Sequence, residues 1–597
     1  MDQIFRQYAE WRQGKARVTW RSAWPCVLAF GLFLAVYPGK APANETEVAP
    51  GRSAIGNYLA GRHAQAEKDL PAAVTYLNAA LRALPDAPDL LRRTFVLMAI
   101  EGRLGNALPL AERLLKHNAK APIAHLALLV DALKRGDKKL QAARLKAQPS
   151  EGLNGFAKPV LEAWSLAGAN QVDAGLKLLK AVDGKSSSKG LHNLHRALLL
   201  DFAGRFEAAE AAYAKVAKDR DNQSFRFTQL LGSMLERRGK AAEAEALYAK
   251  FIEVNTGTTL LEPAMARLKS KTKPAPIIAT AADGAAEAMF NIANSLRQQR
   301  ARETAMVLGQ LALWLKAKFP IAQMMVADIL EDDQRYKQAN ALYAQIGLSS
   351  AFRFSADLRR AHNLNALKES ESAIILLKDL GTRYPARAEP MSGLGDLLRR
   401  HERWVEAIEA YSGAIKRTGT LRKENWRILY SRGIVLERAK RWPEAEKDFL
   451  KALEFEPDQP YVLNYLGYSW VDRGLHLDRA LEMIHNAVRR RPNDGYIIDS
   501  LGWVYYRLGN YSKAVLELER AIQIRPEDPV INDHLGDAYW RVGRTLEAQF
   551  QWQRSLSLKP DAKVEAEVRK KLKDGLAPAT PLGAPDAAGK TAKPKKT

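Results

Sequence analysis

Apolar residues recur along most of the chain at intervals of three and four, separated by Ala, Glu, Lys and Arg, with few β-branched runs closed by turns. This periodicity predicts amphipathic α-helices. The pattern itself repeats. The string DSLGWVYYRLG at 499–509 is followed by Ala514, Leu518, Ala521 and Pro526, and HLGDAYWRVG at 534–543 by Ala548, Trp552, Ser555 and Pro560. Gly502 and Gly536 hold the same place in the two strings. The template is a small residue, a Leu or aromatic residue three on, an Ala twelve on, then an apolar pair. It recurs upstream at Gly467, Gly433, Gly395, Ala361, Ala327 and Ala293. The period is about 34 residues, with one longer step between Gly395 and Gly433.

These strings resemble the tetratricopeptide repeat (TPR) family, whose unit is a pair of antiparallel helices. The resemblance implies an all-α fold, an α-solenoid: a right-handed superhelix of about fourteen helix pairs in two arms. The residue types have physical reasons. Gly502 and Ala514 fall where two helices cross closely, Tyr505 and Leu518 fill the gap between them, and Pro526 stops the second helix. Upstream the repeats are degenerate over 54–256, with Gly61, Phe95, Ala127, Ala163, Ala197 and Gly232 in place of Gly502, and Ala73, Ala107, Ala209 and Ala244 among the second-helix alanines. The Lys-, Pro- and Ala-rich stretch within 257–285 reads as a linker or hinge, 286–561 as the regular array, 562–574 as a capping helix, and 575–597 as a disordered basic tail.

Residues 1–43 read as a signal peptide or N-terminal anchor: Arg12, Lys15, Arg17 and Arg21 precede an uncharged run from Ala23 to Tyr37, and Ala41-Pro42-Ala43 offers a cleavage site before Asn44. Cys26 opens the apolar run, the wrong place for a lipid-modified cysteine. The expectation is an exported protein, periplasmic or membrane-tethered in a bacterial-type envelope. With 1 Cys in 597 residues, a disulfide scaffold is excluded.

No catalytic constellation stands out: GxxxxGK[ST], GxGxxG after a strand, GxSxG and HExxH are all lacking. His192 and His195 could share one helix face, but without a patterned carboxylate they read as surface histidines instead of metal ligands. The chain is therefore read as a non-enzyme with no cofactor and no metal. Its net charge of +24 raises the question of nucleic acid. The excess is spread through 101–150, 351–450 and 551–597, while 451–550 carries 12 basic and 15 acidic residues. Aromatic interleaving is lacking, so nucleic acid is disfavoured as a partner. Anionic lipid, giving peripheral membrane contact, and acidic polymers are compatible with a basic skin.

The TPR resemblance further implies that the first helix of each pair lines a concave face. The candidate groove is then Arg427, Tyr430 and Arg438; Tyr461, Asn464, Tyr468 and Asp472; Tyr496, Asp499, Trp503, Tyr506 and Arg507; and Asp533, Asp537, Trp540 and Arg541. Asn464, Asp499 and Asp533 share one repeat position, and would form a row able to hydrogen-bond an extended peptide while Tyr and Trp cover its side chains. The clamp of chaperone-tail-binding TPR domains is not matched, because Tyr430 and Ile434 stand where that family has a basic residue and Asn. The function implied is a non-enzymatic scaffold holding partner proteins or peptides, envelope-assembly proteins among them, in its groove. The alternatives are a polysaccharide-export or cell-wall-binding module and a cytoplasmic regulatory TPR protein.

Overall fold

A computed structural model describes residues 49–182, 189–219 and 224–578. The expected signal peptide or anchor at 1–43 and residues 579–597 of the tail lie outside the described residues. Thirty α-helices and one short 3-10 turn form the described residues, with no strand among them. Six pairs come first: α1 (Ala54–Ala66) with α2 (Leu70–Ala83), α3 (Pro88–Ile100) with α4 (Leu104–His117), α5 (Pro122–Arg135) with α6 (Lys138–Ala147), α7 (Gly152–Gly168) with α8 (Val172–Val182), α9 (Lys189–Phe202) with α10 (Phe206–Asp219), and α11 (Phe225–Arg238) with α12 (Ala241–Val254). A single helix, α13 (Glu262–Ser270), follows.

Eight further pairs run on: α14 (Ala281–Gln298) with α15 (Arg302–Leu315), α16 (Pro320–Asp332) with α17 (Tyr336–Ala344), α18 (Arg353–Ala366) with α19 (Ser370–Arg383), α20 (Glu389–Arg400) with α21 (Trp404–Thr418), α22 (Trp426–Arg438) with α23 (Trp442–Phe455), α24 (Pro460–Asp472) with α25 (Leu477–Arg490), α26 (Gly495–Arg507) with α27 (Tyr511–Ile524), and α28 (Pro529–Arg541) with α29 (Thr545–Ser557). The last helix, α30 (Ala562–Asp574), stands alone.

Local chemistry explains the boundaries. Asp494, Asp528 and Asp561 sit before α26, α28 and α30, and each side chain accepts from the backbone N–H groups of the second and third residues after it, satisfying donors that have no intrahelical partner. Pro529 follows Asp528 at the first helical position, where a missing N–H costs nothing. Within pairs the chain reverses through a left-handed residue, Gly509 (φ 77°) and Gly543 (φ 83°) in the last two, a conformation that glycine adopts without a Cβ clash. The crossing glycines meet large partners: a Cβ on Gly502 would lie 2.6 Å from Leu518 Cγ, on Gly433 2.6 Å from Phe449 Cε1, and on Gly536 2.6 Å from Trp552 Cδ1. The small residue is thus the socket for the side chain sixteen positions on.

The chain divides between Leu380 and Gly381 into two compact units. In the first, α14 and α15 lie against the first helices of the early pairs: α15 touches α3 and α5, and α14 touches α5, α7 and α9. The contacts are specific. Gly284 on α14 is pressed by the indole of Trp164, which is itself fully buried and donates to His195 Nδ1 at 2.9 Å. Arg226 Nε donates to Glu287 at 3.0 Å, Gln310 to the carbonyl of Ile100 at 3.2 Å, and Arg335 pairs with Glu101.

The hinge expected at 257–285 is therefore corrected. This stretch holds α13, tied by Arg267 to Glu236 at 2.8 Å, and leads into a helix that packs within the same unit. The reason is the small-residue face of α14 (Gly284, Ala285, Ala288), on which Trp164 closes. The surface histidines are corrected too. His192 and His195 are buried, at 1% and 0% exposure, and burial pushes His195 down to about 3. Among the described residues no cluster of three metal-ligating side chains forms.

Candidate peptide-binding groove

The unit from 381 to 578 places first helices next to one another. Contacts of α20 with α22, α24 with α26, and α26 with α28 are more extensive than those between successive second helices. The side on which neighbouring helices stand closer is the inner side of a curved stack, so the first helices line the concave face.

Along that face the upstream residues are separate packing groups. Arg427 is exposed, its guanidinium 5.4 Å from the Trp426 ring, and Tyr430 packs among Trp426, Phe449 and Tyr465. Arg438 lies 3.9 Å from Glu437, and the Arg491 guanidinium covers the Tyr461 ring at 5.3 Å. Tyr468 is half-buried; burial, with Asp472 and Asp499 nearby, holds its phenol well above the ordinary tyrosine range. Asp472 accepts from Arg507 on the next first helix at 2.7 Å, and the Tyr496 ring is covered by Arg525 at 5.3 Å.

Downstream, the residues join into one patch. Trp503 stacks on Tyr506 (4.8 Å between ring centroids, 11° between planes) and on His534 (4.2 Å, 20°). Asp499 stands 2.9 Å from His534 Nδ1, and Arg541 Nε donates to the Tyr506 hydroxyl at 3.1 Å. Burial works against the His534 imidazolium, but Asp499, with Asp533 and Asp537 beyond it, raises its pKa above the ordinary histidine value. Trp540 tilts against Trp552 at 5.4 Å.

The acidic row differs from expectation. Asn464, Asp499 and Asp533 are 5%, 9% and 6% exposed, so they face the seams between repeats instead of an incoming peptide. Asp499 is engaged by His534, and Asp533 accepts from Lys571 of α30 at 2.8 and 2.9 Å. The Asn464 side-chain carbonyl oxygen has no partner among the described residues. Asp537 is a core acceptor: Trp552 Nε1 donates to it at 2.9 Å, and Lys571 reaches its other oxygen at 2.8 Å. Burial and the neighbouring Asp537 raise the Asp533 pKa against the pull of Lys571. Burial favours loss of the Lys571 proton, yet the two carboxylates hold its pKa above the ordinary lysine value.

Lys571 and His534 were missed in the sequence reading. A signal for Lys571 existed: Asp561 follows Asp528 by one repeat, as Asp528 follows Asp494, which marks α30 as the first helix of an unfinished repeat. Lys571 then falls one repeat beyond Asp537 and beside it.

Fold and face together define an α-helical repeat solenoid with its polar and aromatic groups gathered on first helices. Family models agree on its kind: TPR repeat over residues 502–543, and Tetratricopeptide repeat over 194–255 and 392–460. The chain is a tetratricopeptide-repeat protein. It is similar to the TPR repeat-containing protein PA4667 of Pseudomonas aeruginosa, 27% identical over 194 residues that make up 32% of each chain. It is also similar to BBSome complex member BBS4 of Bos taurus, 31% identical over 119 residues, 20% of this chain and 21% of that one. The match thus spans about a third of the first relative and about a fifth of the second. Among solved structures, Cut9 in the APC/C hetero-tetramer Cut9-Hcn1 is matched at TM-score 0.36 and 13% identity, over 89% of this chain and 98% of that one. Yeast Tom70 is matched at TM-score 0.32 and 14% identity, over 87% and 95%.

Proposed function

We propose that this protein is a non-enzymatic scaffold of a bacterial-type cell envelope that holds an extended segment of a partner protein along the first helices of its 381–578 unit. One observation carries the reading: α22, α24 and α26 leave Arg427, Tyr461, Tyr468, Asp472, Trp503 and Arg507 exposed or half-exposed on one concave face. Half-exposed aromatic and Arg side chains in a concavity are the residue types that dominate binding energy at protein interfaces. The basic N-terminal lead and apolar run support the envelope setting. A sugar ring would need an open aromatic face, and the Trp503 ring is engaged by Tyr506 and His534.

The test is in-cell photocrosslinking with a photoreactive residue in place of Asp472, on the concave face, and in place of Leu546, which is 78% exposed on the second helix α29. A polypeptide captured from position 472 and not from 546 is the expected result. A glycan at 472, or equal capture at both positions, would overturn it. Mature protein beginning near Asn44 is expected; intact Met1 in the cytoplasm would remove the envelope setting.

A further inference from the structure

Residues 575–578 do not leave the array after α30; they turn onto the concave face. Gly575 ends α30 with φ 70° and ψ −169°, and a Cβ there would lie 2.5 Å from Trp540 Cζ2 and 2.9 Å from Cη2. Only glycine meets both demands. The backbone then continues without regular structure across Arg541, whose Nη1 donates to the carbonyl of Ala577 at 2.6 Å. Through Nε the same guanidinium donates to the Tyr506 hydroxyl on the preceding first helix at 3.1 Å. One turn earlier, Lys571 is held by Asp533 and Asp537. Closing the end of a solenoid needs a helix such as α30, with Val568 buried beneath it. It does not need three further residues laid over Trp540 and Arg541.

We propose that residues 575–597 are a resident ligand of the groove, lying along the concave face from α28 past α26 to α24, and that a partner segment must displace them. The proposal rests on reading this face as a peptide groove. Reach allows it. The nineteen residues 579–597 span up to about 60 Å when extended at about 3.3 Å each, and neighbouring packed helices lie only about 10 Å apart.

Composition and charge favour it. APATPLGAPDAAG is rich in Ala, Pro and Gly, so its extended form costs little side-chain entropy. Lys590, Lys593, Lys595 and Lys596 against the single Asp586 make the segment basic, and Asp472 is an exposed carboxylate on the face it would cross. The partner segment that competes has the same chemistry: extended, rich in Ala and Pro, and basic.

The experiment uses the full chain and a fluorescein-labelled synthetic peptide of residues 575–597 added in trans. Gly575→Val lies outside α30 and should expel the segment from Trp540 while keeping the array folded. It is expected to bind the peptide at least tenfold more tightly than the wild type. Equal binding by the two proteins overturns the proposal. Capture from position 472 in cells separates the two readings. Equal capture in wild type and Gly575→Val keeps the groove and refutes the resident ligand, whereas no capture in either refutes the groove itself. Independently of whether Gly575→Val folds, a benzoyl-phenylalanine in place of Leu582 in the otherwise wild-type chain should crosslink within the same molecule to peptides from 460–507. Crosslinks confined to other regions overturn the proposal.

Discussion

Replacing Gly502 by Ala tests the packing argument at its narrowest point. In an open helix the exchange is favourable by about 1 kcal/mol, because Ala restricts the unfolded chain and glycine does not. At Gly502 the new Cβ would stand 2.6 Å from Leu518 Cγ and 2.9 Å from Cδ2, with the Leu518 backbone nitrogen at 3.3 Å. Carbon atoms prefer about 3.8 Å, so α26 and α27 must part by about 1 Å, or Leu518, which is fully buried, must leave its rotamer. Overpacking of this kind costs about 1–3 kcal/mol, enough to cancel the helical gain and leave a net loss of about 1 kcal/mol.

Gly413 on α21 is the control: there a Cβ would meet only the flexible end of Met391, at 3.3 Å. Gly413→Ala should therefore stabilise by up to about 1 kcal/mol. The two single-methyl changes should move the thermal midpoint in opposite directions, by about 2–4 °C per kcal/mol in a unit of this size, read by far-UV circular dichroism. Leu518→Ala combined with Gly502→Ala should be less harmful than the sum of the two by more than about 0.5 kcal/mol. Strict additivity, or a stabilising Gly502→Ala, would refute the crossing geometry.

Three further outcomes are expected. Trp503→Ala should weaken capture of the partner segment at least tenfold, about 1.4 kcal/mol, with helicity retained; a loss of about 3 kcal/mol of stability with unchanged affinity would make Trp503 a packing residue. His195 is buried neutral with its pKa depressed to about 3, so its contribution is present above the ordinary histidine value near 6.5 and is lost as pH falls. The 49–380 unit should lose about 2 kcal/mol between pH 7 and pH 5. His534 has a raised pKa, so its contribution has the opposite sign and fades as pH rises through that value; hydrogen exchange resolved by unit checks both. Lys571→Met leaves Asp533 and Asp537 buried without their cation, at a cost of about 3 kcal/mol or more, and adding Asp533→Asn and Asp537→Asn should recover most of it in denaturant melts.

Helix pairing was legible because each crossing carries its own local record: a Gly or Ala, then a bulky residue sixteen on, as with Gly395 and Tyr411 or Gly536 and Trp552. Those contacts lie within one repeat, so the period exposes them. The Asp499 and Asp533 positions were legible as a row but not as buried, since their partners, His534 and Lys571, come from the next repeat and share no motif with them. Least legible was the seat of α14 and α15. Nothing local to Gly284 announces that Trp164, far back in the chain, will lie on it. The histidines failed for the same reason: His195 reads as surface until Trp164 covers it.

The packing of α14 and α15 against α3, α5, α7 and α9 also changes what kind of polymer the first unit is. In an ideal repeat array each unit answers only to its neighbours, and length can be added or removed at the ends. Here Gln310 bonds Ile100, Trp314 bonds Asp131 and Arg335 pairs with Glu101, joining positions some two hundred residues apart. Closing such loops is slow and is rewarded only when the last of them is made. The 49–380 unit should accordingly tolerate no deletion of a whole repeat. The divergence of its early repeats from the regular motif then has a cause: their first helices are shaped to receive two specific helices, a demand that differs at every position along the chain.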